Sequence, residues 1–338
     1  MNVKPTTDAP NAVGHRGVVS ALVTALSDLV GRRDQLEPML PDERLDGRTY
    51  LVTGASSGLG KAAAVRLASA GAEVIMACRS GIPEAGDDVM RASGSGQVRM
   101  LEVDLFDLES ASAMCDRLRD DKQHLDGVVF NAGLMPLSAR RGPQGFEEMF
   151  AVHFLSSRLI VERLLADGVV APSVDPATRP RLVFVSSEAH RSARPIDFEQ
   201  FGAFVDYGIR GGMAEYGYSK LHLCTYAVEL ARRLSSSDGP GVAVHALCPG
   251  PVASNIAREA PPWLKPVVGP IIRWLFAPSE RAVEPVLLLA AGRAVEGRTG
   301  VYLHMMREKT VSSLAADPDN GRRLWEASGA LIEPFLRR

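Results

Sequence analysis

The sequence predicts an α/β fold, a doubly wound parallel sheet of about seven strands with helices on both faces. Three observations carry this. Short apolar runs alternate with helical patterns of roughly 10 to 20 residues along most of the chain. A glycine-rich turn stands directly between the first such run and the first helix. No internal repeat or low-complexity segment interrupts the alternation. Right-handed crossovers then place the ligand beyond the carboxyl ends of the strands.

Taken in order, residues 1–45 read as an N-terminal arm outside the main fold, with one helix over 17–32 and a proline-containing link after it. Residues 49–53 are a short strand of the buried type. The Ala-rich stretch 60–70 is helical, and Gly71 follows it as a C-cap glycine should. Strands are expected over 74–78 and 98–104, a helix over 108–119 and a strand over 127–130. Residues 146–165 carry apolar side chains at three- and four-residue intervals and read as a helix. Strands 182–185 and 242–247 flank a helix over 216–234, and 300–303 adds a last strand. One domain, 46–338, thus follows the arm, and an apolar stretch over about 254–280 is cast as a lid.

The composition excludes several function classes. Hydrophobic residues make up 46% of the 338, enough for a substantial core. A formal net charge of −2 gives no basic footprint for nucleic acid. Cys78, Cys115, Cys224 and Cys248 form no CxxC pair, so they read as buried thiols in a reducing compartment. The seven histidines have no ligand spacing, so no metal is expected. The run 18–30 contains Asp28, and the run 261–278, with Trp263 and Trp274, is broken by Lys265, Arg273 and prolines. Neither suits a membrane span. A cytoplasmic protein is expected, with surface contact to a membrane left open.

The turn reads Thr53-Gly54-Ala55-Ser56-Ser57-Gly58-Leu59-Gly60. Gly54 lets the chain turn sharply, Gly58 lets backbone approach a pyrophosphate, and Gly60 lets helix and strand pack closely. Ser56, Ser57 and Leu59 lie in the same turn, where the helix N-terminus offers N–H groups and its positive dipole end to phosphates. The motif is weak alone and gains its force from the strand–turn–helix context. It makes the fold Rossmann-type and implies a dinucleotide; a purely structural glycine turn is the competing reading. The next strand ends in Met76-Ala77-Cys78-Arg79-Ser80, with no carboxylate to hold a ribose 2′-OH. Arg79 offers a guanidinium fork for a 2′-phosphate, so NADP (NADPH) is the expected cofactor, against a merely solvated arginine.

Tyr216 and Lys220 stand four residues apart on one helix face. A free tyrosine titrates near pH ~10, and a fixed ammonium beside it is expected to lower that value. Such a pair suits proton exchange with an oxygen that gains or loses a hydride at its carbon. The ordered motifs resemble the short-chain dehydrogenase/reductase family, and within it the retinol-dehydrogenase-like reductases. The resemblance covers roughly 45–331. It rests on Thr53 to Gly60, Ala77-Cys78-Arg79, Asp104-Leu105, Asn131-Ala132-Gly133, Val185-Ser186-Ser187 and Tyr216-Gly217-Tyr218-Ser219-Lys220. Cys248-Pro249-Gly250 and the helix around Arg322-Arg323-Leu324-Trp325-Glu326 extend it.

That resemblance implies roles. Ser187 would hydrogen-bond the substrate oxygen, with Ser186 the lesser choice. Tyr216 would be the acid/base, and Lys220 would also hold the nicotinamide ribose. Asp104 and Leu105 would meet the adenine, and Asn131, Ala132 and Gly133 would line the cofactor channel. Pro249, Gly250, Val252 and Ser254 would approach the nicotinamide. One departure stands out: His153 occupies the position of the asparagine that completes the family's proton relay. A histidine can continue a relay or simply pack. Segments 202–212 and 261–278 should border the substrate cleft, and the second is apolar, which favours a hydrophobic carbonyl or alcohol as small-molecule substrate. The resemblance also implies a homo-oligomer paired through the helices from Phe146 and Tyr216. Two other functions compete: a dinucleotide-binding regulatory or scaffold protein, and a reductase of an activated carbon–carbon double bond.

Overall fold

Strand Thr49–Thr53 (β1) is buried along its whole length, as are Gly127–Phe130 (β4), Arg181–Val185 (β5) and Ala243–Cys248 (β6). Strands without a polar face belong in the middle of a sheet covered on both sides. The computed structural model describes residues 35–236, 239–251 and 278–336 and places them there. Glu73–Cys78 (β2), Val98–Glu102 (β3), Tyr302–His304 (β7) and Arg307–Glu308 (β8) complete a sheet of order β8-β7-β6-β5-β4-β1-β2-β3. All neighbours run parallel except β7 and β8.

The chain runs outward from β1 through β2 to β3 and then returns to β4 on the other side of β1. The order therefore reverses between β1 and β4, where a crevice opens outside the strand ends. Helices Gly58–Ser69 (α1), Glu84–Ser93 (α2) and Glu284–Ala291 (α6) cover one face. Helices Leu108–Asp120 (α3), Ser156–Ala166 (α4), Gly212–Arg233 (α5) and Pro318–Leu336 (α7) cover the other. Each face carries its own buried cluster, with Leu51, Ile75 and Val128 on one side and Tyr50, Val52 and Val129 on the opposite one.

The structure differs from the sequence expectations at several points. The sheet has eight strands rather than about seven, because Met305 adopts φ +54 and folds β8 back on β7. The last parallel strand is 302–304 rather than 300–303. Helix α2 was not anticipated. The helix expected over 146–165 begins as a π-helical segment, Phe150–Leu155, before continuing as α4, and α5 starts one turn ahead of Tyr216. The helix over 17–32, Val252, Ser254 and nearly all of the expected lid lie outside the described residues. Residues 35–45, at the end of the expected arm, attach to the domain. Leu36 N–H donates to the Met306 carbonyl at 2.9 Å, Gln35 bridges Arg307, and Met39 and Leu45 are buried.

Helix α7 packs on α3, α4 and α5. Leu324 and Ile332 are fully buried, and the guanidinium groups of Arg158, at 3.8 Å, and Arg233, at 4.3 Å, lie over the Trp325 ring. Ser112 Oγ on α3 donates to the Phe335 carbonyl at 2.8 Å and accepts from Arg163 Nη1 on α4 at 2.8 Å. This clasp holds α7 against α3 and α4 within the chain.

Candidate active site

The crevice between β1 and β4 is a cleft of ≈ 360 Å³. Its floor is built by close packing. Gly54 turns at φ +65, a conformation that favours glycine, and a Cβ there would lie 2.9 Å from Ala132 Cα. A Cβ on Gly60 would lie 2.5 Å from the Gly54 carbonyl oxygen and closer still to Asn131 Nδ2. The turn after β1, the start of α1 and the loop after β4 are thus pressed together. Polar bonds hold them: Thr53 Oγ1 accepts from Asn131 N–H at 3.0 Å and Ala132 N–H at 3.1 Å. The Asn131 amide donates to the carbonyls of Thr53 at 3.0 Å and Gly54 at 3.3 Å. Asn131 therefore lines the cleft but spends its side chain on the turn. Thr53, which organises the junction, opens the turn quoted from the sequence but was given no role there; its place just before the glycine was the available signal.

Gly54, Ser56, Ser57, Gly58 and Leu59 line one wall, facing Asn131, Ala132 and Gly133. Gly60 lies beneath as a packing residue. A glycine-containing turn, with a helix N-terminus facing the cleft, fits a dinucleotide pyrophosphate. Arg79, Asp104 and Leu105 form the outer end. Arg79 is 60% exposed with its Nη1 3.9 Å from Asp104 Oδ1, while Asp104 also accepts from Phe106 N–H at 3.0 Å. No hydrogen bond fixes the two side chains to each other, so the guanidinium can turn toward a ligand.

Ser187, Tyr216 and Lys220 meet at the inner end, with Pro249 and Gly250 beside them. Ser187 follows the C-terminus of β5, and its hydroxyl caps the 3-10 turn Glu188–Ser192 by accepting from Ala189 N–H at 3.2 Å. The Tyr216 hydroxyl stands beside the Ser187 side chain, close enough for that hydroxyl to favour the phenolate. Lys220 is buried, donates from Nζ to the Val185 carbonyl at 2.9 Å, and lies 5.7 Å from the centre of the Tyr216 ring. Burial pushes Lys220 down to about 8. The Tyr216 phenol runs against expectation. Burial of its hydroxyl, aided by Cys248, pushes it up to about 12, and the Ser187 hydrogen bond opposes this. The lowering assigned to Lys220 from spacing is not seen, because burial removes the water that would have solvated the phenolate. The pair is arranged as a protonated phenol beside a buried, readily discharged amine.

His153 is buried behind this group, with its ring edge-on to Tyr216 at 5.6 Å. Its Nε2 accepts from Leu134 N–H at 3.0 Å, and Nδ1 lies 2.8 Å from Ser219 Oγ. Cys248 also lines the inner end, and burial pushes its thiol up to about 11. Two more features were missed. Glu148, almost fully buried, pairs with Arg140 at 3.2 Å along one wall. His190 donates from Nδ1 to the Ser187 carbonyl at 2.7 Å and accepts at Nε2 from Ser312 N–H at 3.1 Å, strapping the Ser187 turn to a distant segment. Neither belongs to a sequence motif, since each depends on a partner far along the chain. Among the described residues, no group of three or more His, Cys, Asp or Glu is placed to hold a metal, and no helix is long and apolar enough to cross a membrane.

Comparison with known proteins agrees with this geometry. The family model for short chain dehydrogenase matches residues 48–197. Dehydrogenase/reductase SDR family member 13 from Bos taurus is 35% identical over 297 residues, covering 85% of this chain and 74% of that protein. Human retinol dehydrogenase 14 is 32% identical over 307 residues, covering 85% of this chain and 87% of the relative. Among solved structures, the Pseudomonas aeruginosa RhlG/NADP active-site complex superposes with a TM-score of 0.57 at 25% identity, over 79% of this chain and 98% of that one.

Proposed function

The chain belongs to the short-chain dehydrogenase family, among its retinol-dehydrogenase-like members, and from that membership we propose an NADP-dependent oxidoreductase that interconverts a carbonyl and an alcohol on an apolar substrate. The observation that carries the proposal is one cleft with Ser187, Tyr216 and Lys220 at its inner end and a glycine cradle with Arg79 at its outer end.

When bound, NADPH supplies the hydride. The chain's own groups do the rest. The Ser187 and Tyr216 hydroxyls stand side by side, and each carries one proton that can turn to a carbonyl oxygen. As negative charge develops on that oxygen, Tyr216 gives up its proton. A phenol held up at about 12 is fully protonated at neutral pH, which suits the reductive direction. Lys220 spends one N–H on Val185 and keeps two donors for the nicotinamide ribose, while its charge stabilises the phenolate as it forms. Asp104 and Leu105 would flank the adenine, and Arg79 would take the 2′-phosphate.

An apolar substrate is supported by the exposed side chains Leu137, Val205, Ile209 and Met213. Leu137, Val205 and Ile209 sit on two loops joined by Ala139 N–H to the Tyr207 carbonyl at 2.9 Å, next to the cleft wall at Pro136, and Met213 stands on the first turn of α5. Four free, buried cysteines support a reducing, cytoplasmic setting. The test is NADPH against NADH binding by fluorescence, followed by a panel of apolar aldehydes and ketones. NADPH preference with turnover is expected. Preference for NADH would remove the role of Arg79, and tight NADPH binding without turnover of any carbonyl would favour a regulatory protein.

A further inference from the structure

The loop after β4 and helix α5 meet at His153, and the hydrogen bonds there fix its protonation. Ser219 Oγ has one proton and donates it to the Tyr216 carbonyl at 2.8 Å. It must therefore accept from His153, so Nδ1 carries the ring proton. Nε2 is left as an acceptor, and the Leu134 N–H fills it at 3.0 Å. Each ring nitrogen of a neutral imidazole makes one in-plane hydrogen bond, so neither has capacity for a water or for a second proton.

We propose that His153 is a positioning residue, tying the loop that follows β4 to the helix that carries Tyr216 and Lys220 through hydrogen bonds at both ring nitrogens, rather than a proton carrier. One end of the tie sets Leu134, and with it the Gly133 wall of the cleft. The other end reaches through Ser219 to the carbonyl of Tyr216, at the turn where α5 presents its hydroxyl to Ser187. The ring also shapes the space. A point one Cβ from Gly133 lies 3.5 Å from His153 Nε2 and 3.7 Å from Lys220 Nζ, so imidazole and ammonium flank the same corner. Protonating His153 would set an imidazolium beside Lys220 and aim an N–H at the Leu134 N–H. Burial and the Lys220 charge hold the ring well below the usual histidine range.

This inference rests on the oxidoreductase reading for its effect on turnover, but the tie can be read without activity. Long-range ¹H–¹⁵N spectra of the full, cofactor-free chain, with His153 assigned by its loss in His153→Gln, should show a ring protonated at Nδ1 that does not titrate between pH 5.5 and 8.5. Titration in that range, or an Nε2–H ring, would overturn the proposal whether or not a substrate is known. In turnover, His153→Phe keeps the ring volume but breaks both bonds. It should lower kcat about 10- to 100-fold, as small misplacements of a catalytic group do. His153→Gln, which can accept at one end and donate at the other, should recover most of that loss. Wild-type kcat in the phenylalanine variant, or a glutamine variant no better than it, would reject the role. A wild-type chain that turns over no carbonyl would fail the oxidoreductase reading alone and leave the spectra to decide the tie.

Discussion

At the scale of single residues, the proposed chemistry depends on a phenol kept protonated by its surroundings. Tyr216→Phe removes the transferable proton and little volume. It should cut kcat by about 10²- to 10⁴-fold while NADPH still binds, measured by steady-state kinetics and fluorescence titration. Full activity in that variant would remove Tyr216 from the mechanism. The pH dependence follows from the same pair. Reduction needs Tyr216 protonated and Lys220 charged. The phenol stays protonated to about 12, so the amine at about 8 is the first group to change as pH rises. kcat/KM for reduction should be level below pH 8 and fall above it, reporting the free enzyme. What could be read at this scale from the chain alone was identity: Ser187, Tyr216, Lys220 and Arg79 come together in one cleft. The direction of the tyrosine shift was not legible, because spacing reveals a charge four residues away but not how much water the fold removes.

At the scale of elements, legibility followed burial. β1 and β4 were read to the residue because both are short runs buried along their whole length. Helix α2, EAGDDVMRAS, was invisible because it buries only Ala85, Gly86 and Val89, and its Asp, Ser and Gly content reads as loop. The π-helical start before α4 has no sequence marker, since its apolar spacing matches an ordinary helix. Helix α5 yields a second prediction. His222 is buried among Phe150, Phe154, Phe201 and Tyr218, stacked on Phe154 with ring centres 5.6 Å apart. Burial pushes it down to about 3. With its folded value below the unfolded one, the unfolded chain binds the extra proton between pH 6.5 and 3, so stability falls as pH drops through that window. His222→Phe should fold and reduce this slope by up to about 1.4 kcal/mol per pH unit, read from urea unfolding at several pH values. An unchanged slope would mean the ring is protonated inside the fold.

At the scale of the whole molecule, the C-terminal helix changes an expectation about assembly. The homo-oligomer suggested by resemblance was to form through the helices now seen as α4 and α5. In the structure α7 of the same chain packs on α4 and α5, with Trp325 against Arg158 and Arg233. Pairing there would require α7 to leave. Sedimentation velocity with hydrogen exchange of the full chain at tens of micromolar should show no dimer through this face. A dimer whose hydrogen exchange is protected in α4 and α5 would reject this. Leu324→Ala, at a fully buried position of α7, should cost about 2 to 5 kcal/mol in unfolding experiments. The resemblance could locate α7 around Trp325 but not what it covers, because the side chains that receive it are spread over three other helices.

One feature of the cleft rim reaches beyond structure into solution conditions. Arg79 is 60% exposed and faces Asp104 across 3.9 Å without a fixed bond, so what it offers a 2′-phosphate is largely an open-water attraction. Mobile ions weaken such an attraction over a Debye length of about 8 Å at physiological ionic strength. The contacts in the glycine cradle serve NADPH and NADH alike. If Arg79 takes the 2′-phosphate as proposed, the ratio between the two cofactors is not a constant of the protein but a function of the electrolyte around it, widest in dilute buffer and narrowing as salt is added.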